Sequence, residues 1–172
     1  MAREILFEGR FVRLVRQDHW EWAERTNTAC AVVVVAVTPE RQIVLTEQYR
    51  LPLGARVLEL PAGLVGDTPH QAAEDRLAAA QRELLEETGF VSDDWQALVE
   101  GPVSAGMSNE RAALYLARDA WAAGQGGGDP SENIQVHVVP LAQAEAFLAD
   151  RRRQGVLVDP KVYAGLYFAS RG

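Results

Sequence analysis

The stretch from Arg82 to Phe90 reads Arg-Glu-Leu-Leu-Glu-Glu-Thr-Gly-Phe and places three carboxylates, those of Glu83, Glu86 and Glu87, within five residues. Successive helical residues are rotated by roughly 100°, so Glu83 and Glu87 share a helix face that Glu86 borders. Like charges at these spacings destabilise a helix by roughly 0.2–0.5 kcal/mol per pair. A divalent cation would offset this repulsion, because Mg²⁺ prefers carboxylate oxygens and bridges them to phosphates. The alternative is a solvated acidic face on which Arg82 pairs with Glu86.

The sequence around this stretch predicts a mixed sheet between helices. Residues from about 69 to 88 are rich in helix-forming side chains, and Gly89 is suited to end that helix in a left-handed conformation. Residues 29–37 form a nearly continuous β-branched run, typical of a strand buried on both faces. The last helix is expected to have Asp159 as its N-cap and Pro160 in its first position. Further strands are predicted over residues 5–16, 19–25, 42–49, 57–60, 95–103, 110–117 and 134–139, and further helices over residues 141–152 and 159–170.

Length and composition predict one soluble domain spanning residues 1–172, with 48% hydrophobic and 24% charged residues as in ordinary globular proteins. The net charge of −7 argues against a nucleic-acid-binding surface. The single cysteine, Cys30, excludes an internal disulfide and is expected to be a small buried hydrophobe. The arginine run at 151–153 is expected at the solvated end of a helix. With neither a signal-peptide core nor an apolar run of about 18 residues, a cytoplasmic location away from membranes is predicted.

The pattern R-E-L-x-E-E-x-G-F resembles the second half of the Nudix box, G-x5-E-x7-R-E-U-x-E-E-x-G-U, in which U is a bulky apolar residue. Glu74 lies eight positions before Arg82, so the E-x7-R-E spacing is kept. The first glycine departs from the pattern, because its expected position is Thr68 and Gly63 lies five residues earlier. We interpret this difference as a short insertion within residues 64–73. The resemblance implies an α/β fold, namely a Nudix-type α/β/α sandwich with a mixed β-sheet and an N-terminal β-hairpin extension.

The same resemblance implies a metal-dependent site on the carboxylate helix. Cations placed at a pyrophosphate stabilise the charge that grows on the leaving oxygen during attack by water. In this family the positions of Glu83 and Glu87 supply the principal Mg²⁺ ligands, and Glu86 supports a second ion. The backbone carbonyl of Ala62 completes the coordination, and Mn²⁺ can substitute for Mg²⁺. Glu86 and Arg82 also belong to the predicted catalytic set, with Arg82 expected to orient a carboxylate rather than contact substrate.

The general base of many family members lies on a loop outside the box, and here the resemblance indicates Glu132, with Asp129 as the rival. Both follow the glycines of the loop at 125–130, which would let it close over a bound substrate. The alternative for either residue is a solvated loop acid. Glu74 is left between two roles, one at the metal site and one as a negative charge favoured at a helix N-terminus.

Three further segments resemble ADP-ribose and nucleoside-diphosphate-sugar pyrophosphatases, namely E-L-P-A-G-L at 59–64, Q-Y-R at 48–50 and W-E-W-A-E-R at 20–25. In that subgroup an N-terminal aromatic residue stacks on the base, which matches Trp20, with Trp22 as the fallback. Arg25 and Arg50 match the cations that hold phosphate or ribose groups, a task suited to bidentate guanidinium groups. Glu59 is expected either to accept a hydrogen bond from the base or to pair with Arg50.

Residues 103–110 carry one departure from the ADP-ribose-specific pattern. Members with that specificity usually have a proline in an S-P-G-like turn, and Ala105 stands in its place, while Glu110 of the predicted substrate site remains. The change weakens strict ADP-ribose specificity and favours other nucleoside diphosphate sugars. Members of the subgroup are commonly homodimers that exchange N-terminal segments, so residues 1–28 are predicted to contribute to dimerisation and to base binding.

The resemblance therefore predicts a Mg²⁺-dependent pyrophosphatase that hydrolyses ADP-ribose or a related nucleoside diphosphate sugar to a nucleoside monophosphate and a sugar phosphate. One alternative is a Nudix hydrolase of dinucleoside polyphosphates or coenzyme A. Another is a non-catalytic nucleotide-sugar sensor on the same scaffold. The preferred sugar and base and the number of metal ions are left open.

Overall fold

The structure is a computed structural model that describes residues 2–28, 30–66, 74–128 and 133–171. These ranges contain thirteen strands and three α-helices. The strands are β1 Glu4–Glu8, β2 Val12–Gln17, β3 Trp20–Arg25, β4 Cys30–Val37, β5 Gln42–Arg50, β6 Ala55–Glu59, β7 Ala62–Leu64, β8 Phe90–Val91, β9 Asp94–Pro102, β10 Arg111–Arg118, β11 Trp121–Ala122, β12 Gln135–Pro140 and β13 Leu157–Val158. The helices are α1 Arg76–Thr88, α2 Ala144–Arg153 and α3 Pro160–Ala169.

Eight of the described strands join one mixed sheet. Its main path runs β13-β6-β5-β4-β10-β9, and β12 pairs with β5 while β7 pairs with β4. β10 is parallel to β4 and β13 is parallel to β6, whereas the other pairs in this sheet are antiparallel. The predicted mixed sheet is confirmed.

Helices cover both faces of this sheet, and the central strand β4 shows why. Successive side chains of a strand point to opposite faces. Val33 belongs to a core that includes Leu148 of α2 and Val162 of α3, whereas its neighbour Val34 belongs to a core that includes Leu84 of α1. All five side chains are at most 1% exposed, so β4 is buried on both faces as predicted. The predicted α/β/α sandwich is confirmed.

The carboxylate helix α1 begins at Arg76, where the side chain of Asp75 accepts a hydrogen bond from the amide of Ala78 at 2.8 Å and caps the helix. Residues 69–73, where the predicted helix starts, lie outside the described ranges. Gly89 ends the helix with φ 74°, as predicted. The N-cap and the glycine together set the two ends of the described helix.

The two other helices lie close to their predicted positions. The segment expected to be helical from residue 141 starts with a 3₁₀ turn, Leu141–Gln143, before α2 begins. α3 has the predicted N-cap, since the side chain of Asp159 accepts a hydrogen bond from the amide of Lys161 at 2.7 Å. No helix within the described ranges is long and apolar enough to cross a membrane. Most of the proposed insertion, including Thr68, falls on residues 67–73, outside the described ranges.

The N-terminal extension contains the expected hairpin, formed by β2 and β3, and β1 adds a third antiparallel strand to it. This small sheet is joined to the larger one by the amide of Ala23, which donates to the carbonyl of Met107 at 2.8 Å. β3 therefore lies beside the segment at 103–110. Cys30, at the start of β4, is only partly buried, which corrects the expectation of a fully buried thiol.

A cleft opens where β5 diverges from β4. Among the described pairs, β5 meets β4 only at Ala36 and Val37, and from Thr46 onward it pairs with β6. The beginning of β4, from Ala31 to Val33, pairs with β7 instead. α1 packs against both β4 and β7, so the carboxylate helix borders this opening.

Candidate active site

Arg82 is the centre of the polar network on α1. Its guanidinium donates to Glu74 at 2.9 and 3.1 Å, to Glu83 at 2.7 Å, to Glu86 at 3.0 Å and to the carbonyl of Leu64 at 3.1 Å. The hydrogen bond with Glu74 is the main cause that raises the pKa of Arg82, and the same bond lowers the pKa of Glu74. Glu74 precedes the N-cap of α1, and its carboxylate holds the guanidinium of Arg82.

Glu83 and Glu87 pack against the backbone of β7. Glu87 is 5% exposed, and its Oε2 accepts a hydrogen bond from the amide of Ala62 at 3.0 Å. The carboxylate of Glu83 lies so close to Gly63 that a Cβ at that position would be 2.0 Å from the Cδ atom of Glu83. Only glycine allows this approach without moving the carboxylate. Glu86 is more than half exposed and lies at the edge of the group.

The chemistry of this donor set fits a hard divalent cation, because three carboxylates and the backbone of Ala62 line one cleft. Across the described part of the chain, no three acidic, histidine or cysteine side chains converge on a single point. Nη1 of Arg82 lies between Glu83 and Glu86, at 2.7 and 3.0 Å from their oxygens. We therefore expect a bound ion to compete with Arg82 for these two carboxylates and to draw Glu87 toward them.

A cleft of about 940 Å³ brings most of the predicted site residues together. Cavities that hold small molecules and cofactors usually measure roughly 300–1,000 Å³, so its size suits a nucleotide. Its walls come from strands β3, β4, β5, β6, β7 and β10, from helices α1 and α3, and from the segments at 103–110 and 125–128. The predicted residues that line it are Arg25, Arg50, Glu59, Ala62, Arg82, Glu83, Glu86, Glu87 and Glu110.

Two arginine–glutamate pairs lie in this cleft. Nε of Arg25 donates to Glu110 at 2.5 Å, and Nε of Arg50 donates to Glu59 at 2.8 Å. Of the two roles predicted for Glu59, pairing with Arg50 is therefore the one present. Both arginine side chains are more than a third exposed, so their guanidinium groups are accessible to an anionic ligand.

Trp20, the predicted base-stacking residue, lies outside the main cleft. It is 55% exposed and lines a smaller cleft of about 350 Å³ together with Ala105, the residue that replaces the expected proline. Trp22 lines the same smaller cleft, and its Nε1 donates to Glu24 at 2.8 Å, which ties this indole to the N-terminal sheet. Base binding by Trp20 stays a prediction that concerns this second cleft.

The glycine-rich loop after β11 packs against the end of α1. The amides of Gly127 and Gly128 donate to the carbonyls of Glu87 and Glu86, at 2.8 and 3.0 Å. A Cβ on Gly126 would lie 2.3 Å from the backbone of α1, so this glycine is needed for close approach. The sequence predicts loop freedom here, whereas the structure gives the glycines a packing role. The candidate bases Glu132 and Asp129 themselves lie outside the described residues.

Lys161 is a cation in the cleft that is absent from the predicted set. It stands in the first turn of α3, and its Nζ donates to Asp159 at 2.5 Å. From its sequence, this segment is predicted only as the capped start of a helix. One signal was available, because Lys161 is the only lysine in the chain.

A separate ionic cluster surrounds the fully buried Glu47, outside the cleft. Glu47 accepts hydrogen bonds from Arg56 at 2.6 Å and from Arg151 at 2.5 Å, and His137 lies 3.2 Å away. Burial acts to raise the pKa of Glu47, but the two arginines outweigh it and lower the pKa. Burial also lowers the pKa of His137. The expectation that residues 151–153 are all solvated is wrong for Arg151, because this buried carboxylate binds its side chain.

The fold and the carboxylate cleft define a Nudix-type protein, and comparison with known proteins agrees. A family model described as the NUDIX domain matches residues 27–159, and the chain belongs to this family of Nudix hydrolases. It is 31% identical over 156 residues to the methanol dehydrogenase activator of Bacillus methanolicus, covering 87% of this chain and 82% of that protein. It is 34% identical over 140 residues to the ADP-ribose pyrophosphatase of Mycobacterium tuberculosis, covering 79% of this chain and 62% of that protein.

One similar solved structure is the crystal structure of an ADP compounds hydrolase. Its TM-score is 0.68, and the match covers 99% of this chain and 90% of that chain at 19% identity. Similarity at this level of identity shows a shared fold.

Proposed function

We propose that this protein is a Mg²⁺-dependent pyrophosphatase that hydrolyses ADP-ribose or a related nucleoside diphosphate sugar to a nucleoside monophosphate and a sugar phosphate. The observation that carries the proposal is the single cleft shared by the carboxylates of α1 and by Arg25 and Arg50. A metal-binding wall and accessible guanidinium groups are the two features that a pyrophosphate ligand requires. The relative from Mycobacterium tuberculosis, named ADP-ribose pyrophosphatase, supports the substrate class.

The cleft residues divide into two groups by charge. Glu83, Glu86, Glu87 and the carbonyl of Ala62 would hold Mg²⁺, which when bound supplies positive charge to the pyrophosphate and lowers the pKa of an attacking water. Arg82 keeps two of these carboxylates oriented before the ion arrives.

The proton acceptor is proposed to be Glu132, with Asp129 as the rival. Gly128 lines the cleft and is bonded to the end of α1, which fixes the start of this segment beside the carboxylates. Glu132 follows Gly128 by four residues in the sequence, which supports its choice as the candidate base. Glu132→Gln should lower kcat by 100-fold or more, and Asp129→Asn should leave it nearly unchanged. The reverse pattern would transfer the role to Asp129.

Substrate recognition and assembly are proposed to involve the N-terminal sheet. Ile5, Phe7 and Trp20 on this sheet are 47%, 65% and 55% exposed, and apolar surface of this kind suits a protein interface. We propose a homodimer that exchanges residues 1–28 and forms its base sites with both copies. The single-domain organisation of residues 1–172 and the cytoplasmic location stay predictions. Light scattering on the full chain and on a chain lacking these residues would test the dimer.

A substrate screen tests the function as a whole. The purified protein with Mg²⁺ would receive ADP-ribose, ADP-, GDP- and UDP-sugars, a diadenosine polyphosphate and coenzyme A, and products would be identified by chromatography. We expect nucleoside monophosphate and sugar phosphate from at least one sugar substrate, and none with Glu83→Gln. Preference for the dinucleotide or for coenzyme A would contradict the substrate class. Ligand-induced stabilisation without turnover would contradict the enzyme and support a sensor.

A further inference from the structure

Lys161 enters the cleft from a different element than the carboxylates do. It lies in the first turn of α3, and the same Asp159 carboxylate that caps this helix also binds its ammonium group, at 2.5 Å. Its side chain is 33% exposed, so the ammonium is held in position and still reachable. An ammonium carries three N–H donors, and the bond to Asp159 uses one of them.

The neighbours of Lys161 identify one end of the cleft. β13 is parallel to β6 through Val158 and Leu58, and the amide of Asp159 donates to the carbonyl of Leu58 at 3.0 Å. The next residue along β6 is Glu59, the partner of Arg50. Lys161 therefore belongs to the end of the cleft that contains Glu59 and Arg50.

The other end of the cleft lies across β4. Arg25 reaches it from β3 and pairs with Glu110, which precedes β10. In the sheet, β10 and β6 stand on opposite sides of β4, so the two ends are separated by the strands that α1 covers. Trp20, the predicted base-stacking residue, lies on the same strand as Arg25. The base half of a substrate is therefore expected at the end that holds Arg25.

The ion pairs of the cleft differ in whether the acidic partner also lines the cleft. The arginines of the cleft are each paired with a glutamate that also lines it, so each pair is neutral within the cleft. Asp159, the partner of Lys161, does not line the cleft among the described residues. Lys161 and Asp159 also form a neutral pair, but only the ammonium lines the cleft, and its remaining N–H donors suit a phosphate group.

We infer that Lys161 is a substrate-binding residue that holds the sugar-phosphate half of a nucleoside diphosphate sugar, at the end of the cleft away from the base. This inference rests on the proposed pyrophosphatase function. The role is one of affinity and specificity for the group beyond the pyrophosphate. Asp159 serves as a positioning residue, since it fixes the ammonium while capping the helix.

The single lysine allows a direct test that does not depend on turnover. The chain has two reactive amines, Lys161 and the N-terminus, and limited acylation with acetic anhydride followed by hydroxylamine, which removes esters from tyrosine and thioesters from cysteine, leaves acetyl groups on these two amines. Mass spectrometry separates the two peptides. Without divalent cations, we expect ribose 5-phosphate to slow acylation of Lys161 by several-fold. AMP should have little effect, and neither ligand should protect the N-terminal amine. Equal protection by both ligands, or protection by AMP alone, would overturn the assignment.

Kinetics supply the second readout. Removal of one charge-assisted hydrogen bond weakens binding by roughly 10-fold or more, so Lys161→Gln should raise KM for ADP-ribose by about that factor with kcat within about threefold. Inhibition by ribose 5-phosphate should weaken equally, while inhibition by AMP should not change. Lys161→Arg should restore part of the affinity. Arg153→Gln, which removes the same charge from an exposed site on α2, is the matched control and should behave as wild type.

Different results would contradict the role of Lys161 and the pyrophosphatase function. An unchanged KM in Lys161→Gln, with an active wild-type enzyme, would overturn the role of Lys161 and leave the pyrophosphatase intact. An inactive wild type across the substrate panel would overturn the proposed function. In that case, protection of Lys161 by ribose 5-phosphate would still show whether the cleft binds a sugar phosphate.

Discussion

The substitution Gly63→Ala tests whether the position of the Glu83 carboxylate determines activity. The added methyl would lie 2.0 Å from Cδ and Oε1 of Glu83, whereas ordinary van der Waals contact begins near 3.4 Å. The carboxylate would have to retreat by the difference, about 1.4 Å (3.4 minus 2.0). Misplacement of a catalytic group by about 1 Å can cost 100-fold in rate, so kcat for the preferred nucleotide sugar should fall by about 100-fold.

The fold should survive this change, because the clash is with the end of a flexible side chain. We expect the melting temperature to shift by only a few degrees, as for a change of about 1 kcal/mol or less in the free energy of unfolding. Gly101→Ala is the matched control, since a Cβ there meets nothing within 4 Å. Turnover would be measured by chromatography of the monophosphate product at saturating Mg²⁺. Wild-type kcat in Gly63→Ala, or an equal loss in Gly101→Ala, would refute the reasoning.

Three further predictions concern the surroundings of the site. Glu47→Gln should lower the free energy of unfolding, measured by urea titration, by about 3–5 kcal/mol, because two arginines at a buried site lose their anion. The control Glu145→Gln, at an exposed position, should lower it by less than about 1 kcal/mol. The free energy of unfolding of the wild type should fall below about pH 6.5, because the pKa of His137 is lowered in the folded protein and the unfolded chain binds a proton first. It should fall further below about pH 4.3, because the pKa of Glu47 is also lowered in the folded protein. Constant stability from pH 7 to pH 4 would contradict this prediction. Gly126→Ala should lower kcat by about 10-fold or more, because the added methyl would push the glycine-rich loop away from α1. Gly124→Ala is the control and should have little effect, since its added methyl would meet its nearest neighbour at 3.8 Å. Equal kcat values in the two variants would contradict a packing role for Gly126.

The sequence alone was sufficient for the features that depend on local spacing. The β-branched run predicts β4 as a strand buried on both faces, and Gly89 predicts the end of α1. The motif resemblance predicts the α/β/α sandwich and nine residues that line the cleft. These predictions are correct because helix periodicity and motif spacing determine which side chains share a face, independently of the rest of the chain.

Features that depend on pairing between distant segments were not predictable from the sequence. Glu47, His137 and Arg151 meet in a buried cluster although long stretches of chain separate them, so Arg151 looks like one member of a solvated run. Lys161 reaches the cleft only because β13 pairs with β6 and places the start of α3 there. The glycines at 126–128 illustrate an ambiguity of residue type, since glycine serves both mobility and close backbone approach.

The start of α1 depends on a single N-cap residue. Within the described residues, the side chain of Asp75 caps the helix and makes Arg76 its first residue. Glu74 is thereby left outside the helix, where it can hold Arg82.

The central claim is that the carboxylates of α1 hold the metal ion on which hydrolysis depends, and a metal titration of the wild type and two variants tests it most directly. Wild type, Glu83→Gln and Glu87→Gln would be titrated with Mg²⁺ from zero to millimolar concentrations, with the formation of AMP from ADP-ribose, or of the matching monophosphate from the preferred sugar nucleotide, as the readout. We predict no product without the ion, saturable turnover in the wild type, and a loss of kcat by about 1,000-fold in both variants with melting temperatures preserved. Metal-independent turnover, or turnover near the wild-type rate in both variants, would contradict the assignment of these carboxylates as the catalytic metal site.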